Sequence, residues 1–150
     1  MPTPTTGVGT VAGTKFFIGA AGSIPTSPDL FIEVGEISSL GDIAEAFSAV
    51  TVESIGSGDS YTLKGVRSFP DFAITMNRKD SDAGQIAMKA AASATRGTLY
   101  PFKILEVDGG YATWQGEVFG YGPTYGTNQS IRGVKTSISI RPDTLTITPA

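Results

Sequence analysis

The residue types that most often carry enzyme chemistry are missing from this chain of 150 residues. It contains no histidine and no cysteine. The chain therefore lacks the commonest general base and the commonest metal ligand. It can form neither a disulfide framework, nor a thiolate zinc site, nor a Ser-His-Asp arrangement. Serines, lysines and carboxylates are the remaining candidates for chemistry.

Two glycine-rich segments are candidates for binding or catalytic loops. Gly7, Gly9 and Gly13 have the wrong spacing for a dinucleotide-binding loop, and no strand precedes them. The loop from Gly56 to Ser60 contains two serines, but no S-x-x-K motif occurs in the chain to activate a serine without histidine. Calcium would require more carboxylates at alternate positions. We interpret the second segment as a connecting loop.

Paired carboxylates are the one catalytic option left. Glu106 and Glu117 could face each other across a predicted hairpin, as the two acids of a glycosidase do. Such sites line clefts rich in aromatic side chains, and only Trp114 and a few tyrosines are nearby. We interpret both acids as solvated strand residues and expect no enzyme activity, no cofactor and no metal site.

The composition predicts one domain made of many short strands. Hydrophobic residues make up 40% and charged residues 17%, with 19 glycines and 9 prolines. The net charge is −3, and Arg78-Lys79 is the only adjacent basic pair, so no concentrated basic patch for nucleic acid is expected. The sequence has no signal peptide pattern and no apolar run that could span a bilayer, so we expect a protein made in the cytoplasm, with no membrane partner.

The chain divides into a flexible N-terminal arm (residues 1–13), one domain (14–141) and a C-terminal tail (142–150) that could add a strand or reach a neighbour. A turn-rich stretch is expected over residues 20–29 and an irregular turn after residue 38. Alternating or β-branched segments predict strands at Thr14–Ala20, Leu30–Ile37, Ala49–Ile55, Tyr61–Val66, Phe69–Arg78, Leu99–Val107, Tyr111–Tyr121 and Ile131–Ile140. Asp108-Gly109-Gly110 predicts a hairpin turn.

One helix is predicted between these strands. Asp82 and Gln85 fit a capping box ahead of the alanine-rich segment Ala83–Ala94, and Gly97 is a natural C-cap. Six to eight strands with one helix indicate a mainly β fold, either a β-sandwich or a split barrel with a flanking helix.

Several strands carry small polar residues on the face opposite their large apolar residues. This pattern is typical of the solvent side of a sandwich, and it also suits the wall of a pore. The polar residues concerned are Asp71, Thr75, Asn77, Thr113, Gln115, Glu117, Lys135, Ser137 and Ser139.

A series of motifs in a fixed order resembles the major tail tube proteins of long-tailed bacteriophages. The series comprises LKGVR at Leu63–Arg67, the long strand after it, DAGQ at Asp82–Gln85, YPFKI at Tyr100–Ile104 and a hairpin carrying QGEV at Gln115–Val118. The likeness covers roughly residues 30 to 140. Related tubes in gene-transfer particles and contractile injection devices fit the same motifs.

The resemblance implies that six copies form a ring whose inner strands join into one β-barrel, and that rings stack into a hollow tube. DNA would cross the tube without specific binding, in the tail of a virion assembled in the host cytoplasm. Implied partners are further copies, a tape-measure protein, and tail-terminator and baseplate proteins. The alternative is a β-sandwich module that binds carbohydrate or acts as an adhesin, using Tyr111, Tyr121 and Tyr125.

Within such a tube, we expect the nine polar residues to face the lumen. We expect the loop after the third strand to contact the adjacent ring. Its residues are Glu53, Gly56, Ser57, Gly58, Asp59 and Ser60.

Overall fold

The computed structural model describes residues 11–26 and 30–149. Most of the predicted N-terminal arm and residues 27–29 of the predicted turn lie outside the described residues. The described elements are β1 (Lys15–Gly19), β2 (Phe31–Val34), β3 (Ile37–Leu40), β4 (Ala46–Glu53), β5 (Ser60–Ser68), β6 (Phe72–Asn77), α1 (Ala83–Ala92), β7 (Tyr100–Leu105), β8 (Tyr111–Gly116), β9 (Val118–Thr124), β10 (Gly133–Ile138) and β11 (Thr146–Thr148).

Nine strands form two antiparallel sheets that pack face to face. The first has the order β11-β8-β7-β1-β2 and the second the order β3-β6-β10-β9. Successive side chains on a strand point to opposite faces, so β6 buries Phe72, Ile74 and Met76 and turns its other residues outward. The predicted mainly β sandwich with one flanking helix is confirmed.

Four aromatic side chains fill the space between the sheets. Phe72 of the four-stranded sheet lies 5.2 Å from Trp114 and 6.1 Å from Phe16, measured between ring centroids. Phe102 packs against both Phe16 and Trp114. All four are fully buried, and such pairs stabilise a core beyond the area that they bury.

The two sheets are joined where β8 continues into β9. Gly116 ends β8 in one sheet, and Val118 begins β9 in the other. Around this corner the N–H of Ser139 donates to the carbonyl of Glu117, and that of Arg141 donates to Gln115. A Cβ at Gly116 would collide with the carbonyl oxygen of Ser139. The predicted strand Tyr111–Tyr121 is therefore two strands in different sheets, with a glycine where they cross.

A second corner divides the predicted strand Leu30–Ile37. Its first half is β2, at the edge of the five-stranded sheet, while Ile37 begins β3, at the edge of the other. Glu36 between them has φ of 60°, a left-handed conformation that turns the chain from one sheet to the other. Residues 38–40, expected to be irregular, complete β3.

The helix α1 lies beside β2 and β9. Asp82 is its N-cap and accepts a hydrogen bond from the N–H of Gln85, 3.0 Å away. The Gln85 side chain, however, does not complete the predicted capping box. It accepts from the N–H of Lys79 and donates to the carbonyls of Gly35 and Asn77. It thus joins the helix to β6 and to the Glu36 corner.

The helix ends earlier than the sequence pattern predicts. Ser93 is the C-cap, and its N–H donates to the last carbonyls of the helix. Gly97, the predicted C-cap, has φ of 90° in the turn that follows, where the N–H of Thr98 donates to Thr95.

The hairpin formed by β7 and β8 is confirmed. Leu105 pairs with Tyr111, and Gly109 has φ of 100° in the turn between them. The Asp108 carboxylate accepts from the N–H of Gly110, as is common in turns. Part of the C-terminal tail, β11, then adds a strand beside β8.

The strands β4 and β5 form a separate two-stranded ribbon, which we call the arm. This name does not refer to the predicted N-terminal arm of residues 1–13. The arm is inserted between β3 and β6, and these pair with each other at the edge of the four-stranded sheet. Apart from their mutual pairing, β4 and β5 pack little against other elements. The arm begins at Ala46, three residues before the predicted start at Ala49.

Candidate functional site

The outer face of the four-stranded sheet carries only short side chains apart from one lysine. Thr75 on β6 lies opposite Lys135 on β10, and Ala73 lies opposite Ser137. On β9 the positions opposite Lys135 and Ser137 are glycines. We call this surface the smooth face. We define it by residues on β6, β9 and β10 and at the start of β6: Asp71, Ala73, Thr75, Asn77, Gly120, Gly122, Lys135 and Ser137.

The smooth face brings together five of the nine polar residues that the sequence pattern selected. Asp71, Thr75 and Asn77 come from β6 or its start, and Lys135 and Ser137 come from β10. Ser139 lies just beyond β10, where its hydroxyl accepts from the N–H of Glu117. Both residues therefore lie at the corner between the sheets and not on the regular part of the face.

Thr113 and Gln115 lie on the opposite side of the molecule. Trp114 between them faces Phe72 across the core, so its neighbours point outward from the five-stranded sheet. Gln115 donates its side-chain N–H to the carbonyl of Gly22. The nine polar residues, which alternation predicts to form a single wall, thus lie on two outer faces and at the corner between the sheets. Alternation distinguishes buried from exposed positions, but it does not show to which sheet a strand belongs.

The arm has one apolar and one polar face. Val50 pairs with Leu63, and Val52 pairs with Tyr61. Val50, Leu63 and Tyr61 are 48%, 49% and 56% exposed. Cross-strand apolar pairs of this kind stabilise a sheet when something covers them. Within the described residues little does, so the apolar face of the arm is exposed in the single chain.

The polar face of the arm carries threonines and a lysine. Thr51 pairs with Thr62, and Ala49 with Lys64. The Lys64 ammonium lies 4.5 Å from the ring centroid of Phe47, a cation–π contact. A register shift between Phe47 and Ala49 is bridged by the N–H of Val66, which donates to the Ser48 hydroxyl.

The tip of the arm is the loop that is predicted to contact the adjacent ring. The N–H of Ser54 donates to Asp59, and that of Gly58 donates to Ser54. Gly58 has φ of 70°, which a side chain would strain. Ile55 is fully exposed at the turn. The loop therefore has a defined conformation and presents one apolar side chain.

The base of the arm is attached by one arginine. The Arg67 guanidinium donates to the carbonyl of Pro142 at 3.2 Å and lies 3.8 Å from the Glu45 carboxylate. It also lies over the ring of Phe69, which packs against the core. These contacts orient the arm relative to the sandwich, although the groups are partly exposed and each contact is weak.

Charged groups meet at the end of the four-stranded sheet away from the arm. The hydrogen bond from Arg78, 3.0 Å long, lowers the pKa of the Asp80 carboxyl and raises the pKa of Arg78. Burial, followed by the charge of Asp80, raises the pKa of Tyr121. None of these shifts prepares a nucleophile or a general base near neutral pH.

The structure does not assemble the catalytic pair considered above. Glu106 lies at the turn between β7 and β8, and Glu117 follows the opposite end of β8. Six residues of strand separate them by roughly 20 Å, more than the roughly 5–9.5 Å that glycosidase carboxylates require. No three acidic residues of the described chain are grouped as a metal site would need.

Two shallow grooves adjoin the corner. The larger has a volume of about 420 Å³ and is lined by Gly97, Leu99, Glu117, Ser139, Ile140, Arg141 and Pro142. No aromatic side chain of the described residues lines it. The three tyrosines suggested for carbohydrate binding are also dispersed. Tyr111 lies on the five-stranded sheet, Tyr121 is half-buried beside Gln85, and Tyr125 follows β9. This arrangement disfavours a carbohydrate-binding module.

Among the described residues no helix is long and apolar enough to cross a membrane.

Comparison with known proteins identifies the fold. No protein-family model matches the sequence, and no curated protein sequence is significantly similar to it. Solved structures do match along nearly the whole chain. One is a chain from the tail of an empty GTA particle with C6 symmetry, which is 15% identical, with a TM-score of 0.66 over 95% of this chain and 100% of that one.

Two further matches come from larger assemblies. One belongs to the six-fold symmetrised baseplate of the anti-feeding prophage, 10% identical, with a TM-score of 0.66 over 98% of this chain and 97% of that one. Another belongs to the extended sheath-tube complex of the PVC extracellular contractile injection system, 8% identical, with a TM-score of 0.66 over 99% and 100%. The chain therefore has the fold of subunits from phage-like tails and injection systems, as the motif order predicts.

Proposed function

We propose that this chain is a non-enzymatic structural subunit of a tail tube. The observation that carries the proposal is the arm, a two-stranded ribbon whose apolar face is open on a chain with this fold. An isolated two-stranded ribbon is marginally stable in water, and an uncovered apolar face favours association. A second copy of the chain is the partner that a self-assembling tube supplies.

Six copies close one ring in this proposal. The strands β3 and β9 are the edges of the four-stranded sheet, and unpaired edges invite pairing with another chain. Six such sheets joined edge to edge would form a closed barrel without edges. The C6 symmetry of the GTA tail and the six-fold symmetry of the prophage baseplate support this number.

The smooth face is the proposed wall of the lumen. Per subunit it offers one carboxylate, Asp71, and one cation, Lys135, among small side chains and glycines. Tight binding of DNA requires many phosphate contacts from lysine and arginine, and this surface supplies few. DNA would therefore pass without being retained. Thr113 and Gln115 would lie on the outside of the tube, and Glu117 and Ser139 at the corner between the sheets.

The setting is a tail-like particle assembled in a host cell. The tape-measure, tail-terminator and baseplate proteins implied by the motif resemblance are the expected partners. Phage tails, gene-transfer particles and contractile devices share these requirements. The matches to a GTA particle tail, a prophage baseplate and a contractile injection system support a setting of this kind.

Electron microscopy of the purified chain tests this function. We expect negative-stain images over a range of concentrations to show hollow tubes or six-fold rings. A variant lacking residues 56–59 tests the tip of the arm, because this deletion shortens only the tip. It should remain folded and fail to form long tubes. Tubes of normal length from the deletion variant would contradict the role of the tip.

A further inference from the structure

The arm and the loop between β9 and β10 lie at opposite ends of the four-stranded sheet. The arm joins the sheet near Phe72, the first residue of β6. The loop joins it at Thr124 and Gly133, and Gly133 pairs with Asn77 at the last residue of β6. The two attachment points are therefore about 20 Å apart along the strands.

The end of the sheet away from the arm carries exposed apolar and cationic side chains. Tyr125 is 61% exposed, and Ile131 is 75% exposed. Arg78 and Arg132 are held together, because the N–H of Arg78 donates to the carbonyl of Arg132 at 2.9 Å. We call Arg78, Tyr125, Ile131 and Arg132 the receiving patch.

The receiving patch is preformed and carries excess positive charge. Within the loop, the N–H of Thr127 donates to the Ser130 hydroxyl, and Gly126 has φ of 70°. The Arg78 guanidinium donates to the Asp80 carboxylate, and the pKa of that carboxyl is also lowered by the charge of Arg132. No carboxylate of the described residues lies within 4.0 Å of the Arg132 guanidinium nitrogens, so two arginines share one acid. One positive charge is thus available to a partner.

The tip of the arm has the complementary character. Residues 53–60 contain two carboxylates, Glu53 and Asp59, and no basic residue. Ile55 between them is fully exposed. The tip of the arm therefore presents an acidic loop with an apolar side chain, and the end of the four-stranded sheet away from the base of the arm presents arginines beside two apolar side chains.

We propose that the arm tip of one copy docks on the receiving patch of a second copy in the adjacent ring. Ile55 packs against Tyr125 and Ile131, while Glu53 and Asp59 face Arg132. The contact is heterologous, since two different surfaces meet, and such contacts repeat along an open-ended assembly. This inference rests on the proposed tube function and adds to it the surface that receives the arm.

A charge exchange between the two surfaces tests the contact. Asp59→Arg and Arg132→Glu should each raise the critical concentration for tube growth, and combining them in one chain should restore growth. Exposed ion pairs are individually weak, but six change together in each ring, so we expect a rise of at least about tenfold for the single variants. Lys15→Glu, an exposed charge reversal on β1, is the control and should grow tubes normally.

Growth of both single variants at the wild-type critical concentration would overturn the proposal, as would a double variant no better than either parent. All these side chains are exposed, so thermal unfolding should show the same midpoint for every variant. This check distinguishes a lost contact from a lost fold.

A cross-linking experiment separates this inference from the tube itself. The chain has no cysteine, so Ile55→Cys and Ile131→Cys each introduce a unique thiol. Mixing and oxidising the two variants should yield a dimer linked through residues 55 and 131. A matched mixture of Ile55→Cys with Thr113→Cys should not. If wild-type protein forms no tubes but the first mixture cross-links selectively, the tube function fails and the contact stands. If wild-type protein forms tubes but the mixture of Ile55→Cys with Ile131→Cys gives no selective cross-link, the proposed contact is refuted and the tube function is not.

Discussion

Single residues at the corners and at the helix start determine how the two sheets are joined. Gly116 allows β8 to pass under the carbonyl of Ser139, and Gln85 connects the helix to two strand ends through its side-chain amide. Neither residue was singled out for these roles by its sequence context. Glycine and glutamine have many possible uses, and only the fold shows which backbone atoms approach them.

At Gly116 an added methyl group should destabilise the fold. We expect Gly116→Ala to lower the free energy of unfolding by about 2 kcal/mol, because the new Cβ meets backbone that cannot move aside easily. Urea unfolding of the monomer measures this. Gly120→Ala is the matched control, since a Cβ there meets no atom within 4 Å, and it should change stability by less than about 0.5 kcal/mol. Equal effects of both substitutions would contradict the account of the corner.

At Gln85 removal of the amide should also be costly. The side chain is 1% exposed and bonds three backbone groups, which Gln85→Leu would leave without partners. Each unsatisfied buried group costs about 1–3 kcal/mol, so we expect a loss of at least about 2 kcal/mol. Ile86→Ala, at the next and largely exposed position, should cost less than about 1 kcal/mol. A smaller loss for Gln85→Leu than for Ile86→Ala would argue against the joining role.

Among the elements, the arm is the one that we expect to contribute more to assembly than to the stability of the subunit. Its strands contact little besides each other, so their apolar residues contribute to the fold mainly within the ribbon. The sequence predicted both strands and the loop between them. It did not show that the ribbon lies outside the sandwich, because a strand that packs on a neighbouring copy has the same alternation as one that packs on its own core.

Polar substitutions on the apolar face of the arm should therefore abolish assembly and leave the monomer folded. We expect Leu63→Ser to change the free energy of unfolding by no more than about 1 kcal/mol, as is usual for exposed positions, while tubes disappear from sedimentation assays. Thr62→Ala, on the polar face of the same strand, should sediment like the wild type. If Leu63→Ser still formed tubes, the apolar face would not be a contact surface.

For the molecule as a whole, the sequence predicted the type and order of most elements, and the structure supplied the relation between them. Alternation in β6 was readable because one side of that strand is buried throughout. The same alternation continues without interruption from Trp114 through Gly116 to Val118, although the strand changes sheets there. A pattern of buried and exposed residues does not show that the chain passes from one sheet to the other. For this reason the sequence pattern alone places Thr113 and Gln115 with residues of the opposite face.

The two faces should differ in accessibility once tubes have formed. With a maleimide coupled to a carrier wider than a DNA duplex, Thr75→Cys and Ser137→Cys should react in the monomer and be protected in tubes, because the carrier cannot enter a channel that is sized for DNA. Thr113→Cys should react in both states. Protection of Thr113→Cys together with full reaction of Thr75→Cys would place the smooth face on the outside.

The most direct test of the tube is a reconstruction of the assembled protein by cryo-electron microscopy. We expect stacked rings of six subunits around a hollow channel, with the four-stranded sheets joined through β3 and β9 and the smooth face lining the channel. The apolar face of each arm should be covered by another copy. An ordered assembly without a channel, or a tube in which the arms extend uncovered into solvent, would contradict the account.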